Sequence, residues 1–189
     1  MSEGKLLFFK ENENSYVMFI PPDMDATKTF RKELKFSLEQ NRFSDDDISS
    51  IVLASDEALT NSISANLAQA SKEIIICRWR IQGPKFVLFI MDYGKGFVPT
   101  EADKKSYRKI HDFLKDIQCH QDGKPGKLPF KGIHKIHRNM GQGIRIMRKL
   151  MDTVKVLYHA NGEITETLPE KNVYGSILEI AFTANKLKQ

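Results

Sequence analysis

Three stretches of this 189-residue chain combine side chains and spacings that can do chemistry. In the first, DEALTNSIS, Glu57 and Asn61 stand four residues apart, so on a helix they project from one face. Leu59 and Ile63 fall on the opposite face. A carboxylate can take a proton from a hydroxyl, and an amide oxygen is a hard ligand for a hydrated Mg²⁺. Ala54, Ala58 and Ala65 lie around the pair as small side chains that would admit a ligand. Taken alone, the same pattern fits a solvated helix face.

The second stretch, MDYGKGF, sets Asp92, Gly94 and Gly96 directly behind an apolar run. Glycines there allow backbone that a flat ring can approach, and a carboxylate can accept from an exocyclic amine. An ordinary turn would read the same way. The third, NMGQGIRIMRKLMDTV, places Gly141 and Gly143 ahead of an amphipathic run with Ile144, Met147, Leu150 and Met151 on its apolar side. Free amides at a helix start bind phosphate. Lys131, Lys135 and Arg138 precede it and could close over a polyphosphate.

These stretches need elements to hold them. Residues 5–10 and 15–20 read as two strands joined by the turn-rich ENEN. Phe30, Leu34 and Leu38 predict a helix over 25–40, capped by Asp23 or Asp25. Ser44 followed by three aspartates predicts a second helix to about residue 68, with a stripe of Ile48, Val52, Leu59, Ile63 and Leu67. Strands are expected at 73–81 and 85–91 around the Gln82-Gly83-Pro84 turn. A third helix is expected at 142–151, then strands at 154–160 and 176–183, with the Asn161-Gly162 turn and a polar stretch between them. Residues 99–140, broken by glycine and proline apart from a possible short helix at 107–117, read as a long lid. The order implies an α+β two-layer sandwich, a mixed and mostly antiparallel sheet covered on one face by helices, in a single domain over 1–189.

Composition narrows the classes. With 41% hydrophobic and 28% charged residues, the chain can bury one core. No apolar run is long enough for a signal peptide or a membrane span, and two cysteines, Cys77 and Cys119, do not make a disulfide framework, so a cytoplasmic setting is expected. The net charge of +5 belongs to residues 99–140, where ten basic residues face five acids, and no nucleic-acid motif accompanies it. Of the five histidines, His134 and His137 have a metal-like spacing but no carboxylate or cysteine beside them, and a loop position explains them as well. Trp79, between Arg78 and Arg80, reads as core or sheet surface.

Taken in order, the three stretches resemble the motifs of the GHKL ATPase superfamily and, within it, the bacterial anti-sigma-factor serine kinases, over roughly residues 25–183. The resemblance implies ATP and Mg²⁺ as cofactors. It implies Glu57 as general base, Asn61 as Mg²⁺ ligand, Asp92 as reader of the adenine amine and Gly94 and Gly96 as walls of its pocket. Gly141 and Gly143 would cradle phosphates, with Arg138 and Ile144 beside them, and Gly175-Ser176 would support the adenine end. Ala65 stands where the family often has a histidine, and the lid is longer than usual. The implied function is a serine/threonine kinase that phosphorylates an anti-sigma-factor antagonist and sequesters a sigma factor; the resemblance also suggests a homodimer, with neither nucleic acid nor membrane expected as partner. A catalytically weak nucleotide-gated binding protein and a stand-alone histidine-kinase-like ATPase domain are the alternatives.

Overall fold

The computed structural model describes residues 6–94, 143–160, 162–167, 169 and 173–188. In chain order the elements are β1 (Leu7–Asn12), β2 (Ser15–Ile20), α1 (Ala26–Gln40), α2 (Asp45–Ala68), β3 (Ile75–Gln82), β4 (Lys85–Asp92), α3 (Gly143–Leu150), β5 (Thr153–Ala160), β6 (Glu163–Thr165) and β7 (Val173–Thr183). The seven strands form one sheet in the order β1-β2-β3-β4-β7-β5-β6. Every described pair is antiparallel, in keeping with the mostly antiparallel sheet expected.

Alternation along the strands decides which face is covered. Met18, Ile20, Ile75, Cys77, Trp79, Ile81, Phe86, Leu88, Ile90 and Ile180 are all fully buried, and they meet Phe30, Leu34 and Leu38 of α1 and Ile51, Leu59 and Ile63 of α2. Trp79 is the largest of them and belongs to this core. Its ring stacks on Tyr16 and Phe8 and meets the edge of Phe30, while Nε1 donates to Ser37 Oγ at 2.9 Å. A tryptophan N–H thus finds a partner on α1, as a buried donor must.

The α2 start follows its sequence. Ser44 Oγ accepts from the Asp47 amide at 3.1 Å, and Asp45, Asp46 and Asp47 fill the first turn, an arrangement worth about 1 kcal/mol for the cap. The expected stripe is only partly right. Ile48, Leu59 and Ile63 are buried, but Val52 is half-buried and Leu67 is 51% exposed. Ile51, Ala54, Ser55, Ala58, Ser62 and Asn66 are buried instead, because α2 touches α1 and α3 as well as the sheet and so buries more than one stripe. On α1 the N-cap position is Asp25, whose side chain makes no cap bond; Asp23 Oδ1 accepts the Asp25 amide.

Boundaries shift elsewhere. The first strand runs to Asn12, so the expected four-residue turn shortens to Glu13 and Asn14. In the polar stretch after Gly162, whose φ is 81°, Glu163–Thr165 pairs with β5 as a hairpin that composition did not announce. The lid, with Gly96, Arg138, Gly141, Cys119 and four histidines, lies outside the described residues.

Candidate functional site

The site is assembled on α2. Glu57 and Asn61 point toward the first residue of α3: a Cβ built on Gly143 would stand 2.7 Å from Asn61 Nδ2 and 3.1 Å from Glu57 Oε2. Glycine therefore lets α3 begin this close to the acid–amide pair without displacing either side-chain end. Burial pushes the Glu57 carboxyl above the ordinary carboxylate range, and the charge of neighbouring Asp56 pushes it further. Asp56 is itself raised by burial, partly offset by Arg31, whose Nη1 lies 2.8 Å from Asp56 Oδ2. A carboxylate with a raised pKa, adjacent to an amide, is suited to proton transfer beside a hard cation.

Ala54 and Ala58 are fully buried in the core. Ala65, two turns beyond Glu57, faces the site, because the Gly94 backbone rests directly on its Cβ. A larger side chain at 65 would collide with this path, which accounts for alanine where a histidine is the commoner residue of the resemblance. From Glu57 to Ala65 the helix rises roughly 12 Å. That span separates the end where Glu57, Asn61 and Gly143 meet from a second end built around Asp92.

Asp92 is the last of the inward-facing row 86, 88, 90, 92 on β4, and antiparallel register sets it opposite Ser176 on β7. It is 4% exposed. Its Oδ1 accepts from the Gly94 amide and its Oδ2 from Ser176 Oγ, both at 2.9 Å, and Ser62 of α2 also donates to it. Burial raises its pKa while these hydrogen bonds pull it back. The Ser176 amide donates to Asp92 as well, so donors from β7, α2 and the Gly94 turn fix the direction of the carboxylate. Gly175 packs on the Asp92 carbonyl so closely that no Cβ fits. Ile144 is 3% exposed within the core, so any contact it makes with a ligand is through its backbone.

Sequence reasoning missed two groups. Asn66 is fully buried, with Oδ1 accepting from the Tyr93 amide at 2.9 Å and Nδ2 donating to the Glu73 carbonyl at 3.1 Å. Ser62 completes the Asp92 cage. Their one sequence signal was a polar residue at a position that the helix turns inward.

Among the described residues no group of three or more His, Cys, Asp or Glu could hold a metal by itself. A Mg²⁺ shared between one or two side chains and a polyphosphate needs no such cluster. The two clefts described, of about 330 and 470 Å³, lie along α1 and away from these residues. No helix among the described residues is long and apolar enough to cross a membrane.

The family model described as "Histidine kinase-like ATPase domain" matches residues 20–167, which hold α2, Asp92 and Gly143. No curated protein matches the chain. A match over most of the chain, on an antiparallel sheet covered by helices with the acid–amide pair against a helix start, makes this chain a member of the histidine kinase-like ATPase domain family.

Proposed function

We propose that this ATPase-family domain is a Mg²⁺-dependent serine/threonine protein kinase of the anti-sigma-factor type, acting on an antagonist protein and binding a sigma factor. The observation that carries the reading is the meeting of Glu57 and Asn61 with Gly143 at one end of an α2 face whose other end meets Asp92 and Gly94. Asp92 accepts from the adenine amine, and Ser176 holds its carboxylate in place. Asn61 would hold the cation through its amide oxygen, and the cation would supply neutralisation of phosphate charge there. Glu57 takes the proton of the attacking serine or threonine hydroxyl as that oxygen bonds to the γ-phosphorus and the bond to the β-phosphate oxygen breaks, leaving ADP. The raised Glu57 carboxyl supports the base role.

For the sheet face that no described helix covers, we propose a second copy of the chain as partner. Leu7, Phe19, Ile76, Met91, Ile177 and Leu157 stand in one register across six strands, on the face away from the helices. The row spans roughly 24 Å, close to the edge of a patch of ~800 Å² that a standard interface buries per partner. Phe89, 39% exposed, lies in the next row between Arg78 and Glu179. Phe89→Glu should shift the sedimentation coefficient of a dimer to that of a monomer.

The kinase is tested by incubating the protein with Mg-ATP and a candidate antagonist and following the phosphorylated product by mass. Transfer is expected for wild type and lost in Glu57→Ala. Wild type without transfer, or a variant with undiminished transfer, removes the kinase reading.

A further inference from the structure

We propose that Asn66 is a positioning residue for the base end of the site: its carboxamide holds the Asp92-to-Gly94 turn open for a purine. The inference rests on the nucleotide reading above but concerns a residue outside the three motifs.

The β3–β4 ladder runs from Gln82↔Lys85 to Ile76↔Met91. Beyond it the two chains part, and Asn66 stands in the gap. Its Nδ2 donates to Glu73 O on the lead-in to β3, and its Oδ1 accepts from Tyr93 N just past β4. The side chain acts as an inserted peptide group, satisfying one backbone acceptor and one donor that the sheet has released. The Asn66 carbonyl also accepts from the Gln69 and Ser71 amides, which anchors the end of α2 itself.

The consequence lies one residue either side of Tyr93. The Gly94 amide is held by Asp92 Oδ1, Gly94 rests on Ala65, and Gly175 packs on Asp92 O and Tyr93 Cα. The Tyr93 amide lies beyond the ladder, and Asn66 supplies its acceptor. Without that bond the backbone at Tyr93 loses its tie to α2, and the wall that Tyr93 and Gly94 form beside the Asp92 carboxylate shifts while Glu57, Asn61 and Gly143 keep their places. Asn66 therefore controls discrimination at the base and leaves the polyphosphate end untouched.

Calorimetry with Mg-ATP, Mg-ITP and Mg-tripolyphosphate tests this, since ITP lacks the 6-amino group and tripolyphosphate lacks the base. Wild type should prefer ATP over ITP at least tenfold. In Asn66→Ala that ratio should fall to within threefold of unity, with tripolyphosphate affinity unchanged within twofold. Asn66→Asp, which keeps an oxygen for the Tyr93 amide, should retain more of the preference than Asn66→Ala. If Asn66→Ala does not fold, Asn66→Ser, too short to span both partners, should show the same collapse. An equal loss for all three ligands, or a retained ATP preference in the short variants, overturns the inference. A wild type that does not prefer ATP overturns the nucleotide reading instead, so the two failures are distinct.

Discussion

Replacing Gly143 by alanine sets two effects of opposite sign against each other. Gly143 opens α3, and alanine is favoured over glycine in a helix by up to ~1 kcal/mol. The added Cβ, however, would lie 2.7 Å from Asn61 Nδ2 and 3.1 Å from Glu57 Oε2. A normal carbon contact is ~3.5 Å or more, so the amide must retreat by roughly 0.8 Å and the carboxylate by about half as much. Both atoms end side chains on a rigid helix, and they can move without disturbing the core, so the contact removes most of the propensity gain and little else. Melting should stay within ~3 °C of wild type, the shift expected of about 1 kcal/mol in a domain of this size. Function should not be spared. Misplacing a group by ~1 Å at a reacting centre costs about 100-fold, so the Mg²⁺-dependent affinity for ATP should fall about tenfold, ~1.4 kcal/mol. Calorimetry with and without EDTA, beside a thermal melt, reads both quantities. An unchanged Mg²⁺-dependent affinity would refute the placement of Asn61 and Glu57 against the ligand, and a loss matched by unfolding would make Gly143 a packing residue alone.

Other outcomes follow from the same geometry. Asp56→Asn removes the charge that adds to the rise of Glu57, so the acid limb of the transfer rate against pH should move to lower pH, while Glu57→Gln should keep ATP binding and lose about 100-fold or more in transfer. Asp56, Glu57 and Asp92 are all raised by burial, so the folded state holds more protons than the unfolded one between their ordinary and raised values. Their contribution to stability is full below the ordinary carboxylate range and is lost as pH rises through the raised values. Asp92→Asn should flatten that part of the stability curve in denaturant titrations across pH and abolish the preference for ATP over ITP. Ser37→Ala strands the buried Trp79 N–H and should lower stability by ~1–3 kcal/mol, read as a shift in the urea midpoint with activity intact.

Local chemistry made much of this legible in the chain itself. The spacing of Phe30, Leu34 and Leu38 gave α1, Ser44 with its three aspartates placed the start of α2, and alternation along residues 85–91 predicted β4, because each depends on neighbours within a few residues. The four-residue step from Glu57 to Asn61 likewise needs only helical geometry. Motif order then led from these pieces to the ATPase family.

Long-range pairing decided the rest. That Asp92 lies on the covered face, opposite Ser176, follows from a register between strands 84 residues apart, which no local pattern encodes. Ala54 and Ala58 entered the core because α1 and α3 both pack on α2, and a helix covered on several sides has no single apolar stripe. Asn66 looked like one more polar residue near a helix end. It became a structural bridge only because two strands diverge around it, and a buried amide must then satisfy the backbone groups they leave behind. The sequence by itself determined which residues could carry the chemistry, since that is a property of side-chain type and helical step. Tertiary structure alone decided which of them meet, because proximity across the sheet depends on how distant segments share one buried volume.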